Sequence, residues 1–342
     1  MREISIQKNE AGQRMDKFLA KYLNKAPKSF FYKMMRKKNI TLNGKKAVGN
    51  EQLQQGDVIK LFLAEETIEN FIDHSQFSKK KASSARKQTA GKKVQLDILY
   101  EDEAAVFINK PVGMLSQKAS PTDTSLVEYF IDYLLENGKI TEEELHTFHP
   151  SVCNRLDRNT SGIVAAGKTL QALQGLSEMF RDRTLKKYYL CLVKGQVKEN
   201  QRIHGYLVKN EKTNKVTVSQ KKPAEQTKDG KEASAIDTEY KVLARNRETT
   251  LLEVHLITGK THQIRAHLAS IGHPIAGDYK YGNRSFNDAL KKEYGLRSQL
   301  LHAYRLEFPE NCEEDIKQLS GKIIKAPVPA LFEQICKAQG VM

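Results

Sequence analysis

The sequence predicts an α+β protein: a mixed, mainly antiparallel sheet flanked by helices and loops, preceded by a small α+β unit. Three observations carry this expectation. Segments with strand character outnumber the helices that could serve as parallel crossovers. A lysine-rich stretch without apolar periodicity, residues 78–87, separates about 65 N-terminal residues from the remainder. The 342-residue length is enough for two domains and at least one sizeable core.

The first unit, residues 1–65, opens with polar and apolar residues in alternation and no apolar run of the signal-peptide kind. Phe18, Leu19, Tyr22 and Leu23 follow helical spacing after Asp16. A second helix begins near Ser29 and gathers Phe31, Tyr32 and Met35 on one face. Its other face presents Lys33, Arg36 and Lys37 at i, i+3 and i+4, with Lys28 near its start. Next come Ile40-Thr41-Leu42, an Asn43-Gly44 turn suited to a tight hairpin, and Lys45-Lys46. A strand over 58–63 closes the unit. A charged helix face is most often solvated surface, but here it runs into a basic hairpin. Lys28, Lys33, Arg36, Lys37, Lys45 and Lys46 are therefore the candidate RNA-binding residues.

Residues 66–94 are expected to be a flexible basic linker, and 95–342 the larger domain. In it, strands are predicted at 94–100, 104–108, 163–166, 188–193, 238–244 and 250–257. A helix within 121–137 carries Leu126, Tyr129, Phe130, Tyr133 and Leu134. The polar stretch 209–234 reads as a long hairpin excursion.

Lys and Arg number 56 against 41 Asp and Glu, a formal net charge of +15, which favours a polyanionic partner. No segment approaches the roughly 20 apolar residues that span a bilayer. The four cysteines (153, 191, 312 and 336) are scattered without a CxxC pair, which fits buried free thiols in a reducing cytoplasm.

Residues 162–169, Gly-Ile-Val-Ala-Ala-Gly-Lys-Thr, satisfy the P-loop pattern letter for letter. The physics does not follow. The preceding residues are polar, and Ile-Val-Ala-Ala prefers a buried strand to a phosphate-wrapping loop. Nucleotide hydrolysis is therefore not expected. Just upstream, Asn154-Arg155-Leu156-Asp157-Arg158-Asn159-Thr160-Ser161-Gly162 sets an aspartate between two arginines, with Thr160 in the following turn. Taken alone, this is an ordinary loop carboxylate.

A second cluster changes its standing. Residues 258–268, Thr-Gly-Lys-Thr-His-Gln-Ile-Arg-Ala-His-Leu, lead from a strand into a helix with Thr261 as its expected N-cap and Gly272 at its end. Ile264, Leu268 and Ile271 form the buried stripe. His262 and Arg265 lie on an adjacent face, and a glycine-rich segment, 272–282, follows. His255, His262, His267 and His273 lack the spacing that gathers metal ligands on one helix face, so no metal is expected.

These residues resemble the RluA family of pseudouridine synthases. Arg-Leu-Asp-Arg-x-Thr-Ser-Gly at 155–162 is similar to its catalytic motif. In family order, 98–103 with Asn109-Lys110-Pro111-Val112-Gly113 resembles the opening strands, 187–195 the tyrosine motif, and 258–282 the Thr-His-Gln-Ile-Arg motif. The first unit resembles the alpha-L RNA-binding domain, and Pro27-Lys28-Ser29 with Tyr32 and 36–38 is similar to the subgroup modifying large-subunit ribosomal RNA.

The resemblance implies a pseudouridine synthase catalytic domain that isomerises uridine within RNA, without cofactor. Asp157, Tyr189 and Arg265 would be its catalytic residues, with Arg155, Arg158, Thr160, Thr261, His262 and Gln263 as active-site support. Asn154 stands where most relatives carry histidine, so no histidine role transfers to it. Structured RNA is the implied partner, ribosomal before transfer RNA, and nothing demands more than a monomer. The alternative is a non-catalytic RNA-binding assembly factor, which the presence of all three catalytic residues disfavours.

Overall fold

The computed structural model describes residues 1–73, 94–142, 144–210, 213, 215–222 and 233–342. The first unit runs β1 (Arg2–Ser5), α1 (Met15–Tyr22), α2 (Lys28–Arg36), β2 (Ile40–Leu42), β3 (Lys45–Lys46), β4 (Val58–Leu61) and α3 (Glu65–Phe71). Its sheet has the order β1-β4-β2-β3, with every pair antiparallel. Met15, Phe18 and Leu19 of α1, and Phe31 and Met35 of α2, bury one stripe of each helix against it. Asn43 and Gly44 both take positive φ, as a tight hairpin turn requires. Helix α3 extends past the boundary expected at residue 65. Its apolar stripe explains this, because Ile68 and then Ile72 enter the same core. The remainder of the expected linker, residues 74–93, lies outside the described residues.

The larger domain continues with β5 (Ile98–Glu101), β6 (Ala105–Lys110), α4 (Leu126–Glu136), β7 (Ser151–Val152), β8 (Ser161–Gly167), α5 (Leu170–Asp182) and β9 (Lys186–Lys194). Then come β10 (Gln201–Asn210), β11 (Lys215–Ser219), β12 (Ser234–Arg245), β13 (Thr249–Leu256), α6 (Gln263–Ser270), α7 (Arg284–Tyr294), β14 (Leu301–Glu307), β15 (Ile323–Lys325) and α8 (Ala330–Ala338). Among the described residues these strands form one 11-stranded sheet of order β11-β10-β12-β13-β9-β14-β8-β6-β5, with β7 beside β8 and β15 beside β14. The pair β14 and β8 is parallel, and the other pairs are antiparallel, as the sequence predicts. The polar excursion at 209–234 resolves into the β10–β11 hairpin and the start of β12, while 211, 212, 214 and 223–232 lie outside the described residues.

Strand β8 explains the false P-loop. It is buried along its whole length, with Val164 and Ala166 in one core and Ile163 and Ala165 in the other. Its glycines permit close packing. A Cβ on Gly162, which also has φ +112°, would stand 2.1 Å from the Ala303 carbonyl oxygen of β14, and one on Gly167 would stand 2.5 Å from Leu173 Cα of α5. Lys168 is turned to Glu101 Oε1 (2.8 Å) and the Asp102 carbonyl (2.6 Å), not to an open loop.

Candidate active site

The sheet order brings distant sequence together. Asp157 sits in the loop that leads into β8, Tyr189 in β9, and Arg265 on α6, which follows β13. Tyr189 lies opposite Val254 of β13 on one side and Ala303 of β14 on the other, and β14 pairs with β8. The loop is tied down from several directions. The Thr160 N–H donates to the Asp157 carbonyl (3.0 Å), and the Thr160 hydroxyl accepts from Gln299 Nε2 (3.2 Å). The buried Ser116 hydroxyl donates to the Leu156 carbonyl and accepts from its N–H, both at 3.0 Å. Asn154 spans the adjacent strand backbone, donating to the Ile163 carbonyl (3.2 Å) and accepting from the Ala165 N–H (2.8 Å). Its side chain is thus a backbone support.

Lys110 completes the fixture. It is fully buried and donates to the carbonyls of Met114 (2.8 Å), Pro111 (3.0 Å) and Arg158 (3.3 Å). Burial lowers its pKa to about 8, with the Asp157 charge opposing the shift. Arg158 itself is exposed, and its Nε donates to the Gly113 carbonyl at 3.1 Å. Arg155 is exposed beside it.

Arg265 Nη1 donates to Asp157 Oδ2 at 2.8 Å, while its Nε and Nη2 donate to Asp278 Oδ2 (2.7 Å) and Oδ1 (3.0 Å). One buried guanidinium therefore serves two carboxylates. Burial opposes its charge, but the bonds and charge of Asp278, then those of Asp157, outweigh that and raise its pKa. Burial, and secondarily the Asp157 charge, raise the Tyr189 phenol above its ordinary range, so it stays protonated at neutral pH.

His262 also faces Asp157, with Nε2 3.8 Å from Asp157 Oδ2 and Nδ1 2.9 Å from the Tyr281 hydroxyl. It is the N-cap residue of α6 in the left-handed conformation, φ +54°. This corrects the expected Thr261 cap: Thr261 is exposed, and the helix starts two residues later. Gln263 is buried and fully engaged. Its oxygen accepts from the Thr258 hydroxyl (2.8 Å) and the Lys260 N–H (3.0 Å), and its amide donates to the Asp237 carbonyl and the Thr238 hydroxyl (both 3.0 Å). It holds the strand-to-helix turn in place. Asp278, Tyr281, Lys110 and Ser116 are neighbours that sequence reasoning gave no role. The signals were faint: a lysine ending an apolar strand, and an aspartate in a glycine-rich turn that reads as an ordinary Asx turn.

Lys28, Lys33, Arg36, Lys37, Lys45 and Lys46 are all exposed, and the described residues give none of them an ion-pair partner. No group of three or more potential metal ligands occurs among the described residues. A cavity of about 510 Å³ lies behind the loop, lined by Lys110, Ser161, Gln299, Leu301 and Phe332; Asp157, Tyr189 and Arg265 do not line it.

A mixed sheet whose central strands gather an aspartate loop, a buried arginine and a buried tyrosine defines a fold class with known members. The model of the RNA pseudouridylate synthase family matches residues 104–270. A ribosomal large subunit pseudouridine synthase C from Vibrio parahaemolyticus is 32% identical over 336 residues, 97% of this chain and 94% of its own length. Its Salmonella typhi counterpart is 31% identical over 327 residues, covering 94% and 93%. Human RNA pseudouridylate synthase domain containing 4 shares the fold at TM-score 0.57 and 24% identity, covering 72% of this chain and 94% of its own. The chain therefore belongs to the RNA pseudouridylate synthase family, and its activity is that of an RNA pseudouridine synthase.

Proposed function

We propose that this enzyme converts uridine to pseudouridine in large-subunit ribosomal RNA, with Asp157 as the reacting carboxylate, Arg265 as its positive partner and Tyr189 as a stacking surface. The observation that carries the site is the 2.8 Å bond between Arg265 Nη1 and Asp157 Oδ2. The reaction breaks the glycosidic C–N bond, turns the uracil and forms a C–C bond to the same sugar, with loss of a proton from the ring carbon. Such an exchange is redox-neutral and asks for a nucleophilic or basic carboxylate. The protonated phenol of Tyr189 offers an aromatic face to a base taken out of its stack.

The ribosomal substrate is supported by the relatives from two genera that carry this activity in their names. The cations on α2 and the β2–β3 hairpin, without ion-pair partners among the described residues, give the first unit a surface that can track phosphates, and exposed Arg155 and Arg158 add positive charge beside Asp157. Four free thiols fit a cytoplasmic enzyme, and monomeric action suffices for this scheme.

Asp157→Ala should abolish tritium release from ribosomal RNA labelled at uracil C5 while RNA affinity is kept. Unchanged release would sink the assignment of Asp157. Mapping pseudouridine across total RNA from cells lacking the protein decides the substrate: sites lost in large-subunit RNA support the proposal, and sites lost only in transfer RNA overturn that part.

A further inference from the structure

The geometry points to Tyr281 as a positioning residue that fixes His262 as the tautomer with its proton on Nε2, aimed at the Asp157 carboxylate. This inference rests on Asp157 being the reacting carboxylate only for its catalytic consequence; the proton arrangement stands on geometry alone.

The hydrogen bonds around the Tyr281 hydroxyl set the tautomer, and the charge of Asp157 agrees with it. The Tyr281 hydroxyl already accepts the Val216 N–H of edge strand β11 at 3.0 Å. Among the described residues its own proton has one acceptor within reach, His262 Nδ1 at 2.9 Å. If the phenol donates there, the Val216 N–H, the Tyr281 hydroxyl and His262 Nδ1 are all satisfied. On the other side of the ring, Nε2 stands 3.8 Å from Asp157 Oδ2. A lone pair there would face an anion, whereas an N–H faces it favourably. At 3.8 Å this contact is too long for a hydrogen bond to hold the ring by itself, so the Tyr281 hydroxyl is what fixes the proton on Nε2.

The same tyrosine is itself held firmly. Its N–H donates to Asp278 Oδ1 at 3.2 Å, and Asp278 grips Arg265 through two further bonds. Its ring lies beneath Arg265, with the guanidinium carbon 5.2 Å from the ring centroid. Tyr281 thus touches both groups that face Asp157, and through Val216 it ties them to the β10–β11 hairpin. The charged groups around His262 are Asp157, Arg265, Lys280 and Asp278, and its burial, the largest influence, favours the neutral ring that the tautomer argument requires. An Nε2–H in this position faces Asp157 and can donate to a carbonyl or hydroxyl oxygen of a uridine bound against that carboxylate.

Tyr281→Phe tests this, since it removes the hydroxyl and keeps the ring and backbone. The direct readout is ¹⁵N NMR of histidine-labelled full-length protein, with the His262 signals assigned by their loss in His262→Gln. The wild type should show His262 Nδ1 as an unprotonated acceptor and Nε2 as protonated, and Tyr281→Phe should lose that single-tautomer pattern. A wild-type Nδ1–H form, or an unchanged spectrum in Tyr281→Phe, overturns the proposal whatever Asp157 does. In turnover, Tyr281→Phe should lower kcat by about tenfold, the rate equivalent of one ordinary hydrogen bond, with KM for RNA unchanged. Introduced into His262→Gln, it should cost no more, whereas additive losses would mean that Tyr281 does not act through His262.

Discussion

Arg265 is held by Asp278 before it reaches Asp157. Two of its three charge-assisted bonds go to Asp278, which is 1% exposed and also accepts the Lys280 and Tyr281 N–H groups. The guanidinium is thereby fixed in plane, with Nη1 left over for the loop carboxylate, and less side-chain freedom remains to be lost on binding substrate. This arrangement was half legible. Asp157, Tyr189 and Arg265 could be read from motifs, but the partnership with Asp278 could not, because an aspartate in a Gly-Asp turn ordinarily serves its own backbone. Another buried group at this scale bears on stability. His302 Nδ1 lies 2.9 Å from the Ser161 hydroxyl, and burial pulls its pKa down to about 4, against backbone carbonyls that pull it up. Its unfolded value is near 6.5, so between pH 6.5 and 4 the unfolded chain binds the proton and the native protein does not. Stability is therefore full above pH 6.5 and falls as pH drops towards 4, by up to about 3 kcal/mol from this group. Urea unfolding of His302→Asn should show a smaller loss over that interval than the wild type; an identical loss would mean that another group carries the dependence.

Helix α2 and the β2–β3 hairpin form the element with the clearest electrostatic purpose. Lys33 and Arg36 lie in the last turn of α2, where positive charge complements the helix dipole, and that alone would account for two of the cations. Lys28 in the first turn and Lys45 and Lys46 on the hairpin have no such explanation. Exposed Tyr32, whose hydroxyl donates to Asp16 Oδ2 at 2.9 Å, stands on the same helix. Replacing Lys33, Arg36 and Lys37 by glutamate should weaken RNA binding across sequences and reduce the salt slope by about one for each phosphate no longer neutralised. Filter binding from low to moderate salt measures this, and an unaltered slope would show that the face does not meet RNA. At this scale the strands that alternate or run apolar, such as β6, β8 and β13, were readable. Strand β14 was not marked, because His-Ala-Tyr-Arg shows no clean alternation and its place comes from pairing with two strands far upstream, antiparallel with β9 and parallel with β8. The left-handed His262 was equally hidden: threonine is the better cap by type, and a positive φ at a histidine leaves no mark in the sequence.

The molecule has separate hydrophobic cores, and among the described residues that of the first unit is built from residues between Ile4 and Ile72. Its described polar contacts with the larger domain are few and local. Asn9 donates to Glu144 Oε1 at 3.1 Å, and the Thr147 hydroxyl donates to Glu10 Oε1 at 2.6 Å. None of them involves Asp157, Tyr189, Arg265 or the residues that brace them. A chain beginning after residue 73 should therefore keep the catalytic geometry while losing the α2 and hairpin cations. The cut belongs there and not at residue 65, because α3 contributes Ile68 to the first core and packs Phe71 against it, and both would be left exposed. For the truncated protein we expect a cooperative melt of the larger domain, kcat within a few-fold of the full chain, and KM for structured ribosomal RNA raised by about tenfold or more, as the removal of several phosphate-neutralising cations implies. Steady-state tritium release at fixed salt, with calorimetry of the same samples, separates the outcomes. A kcat that collapses while the melt survives would show that the first unit shapes the active site. An unchanged KM would show that the larger domain recognises the RNA unaided.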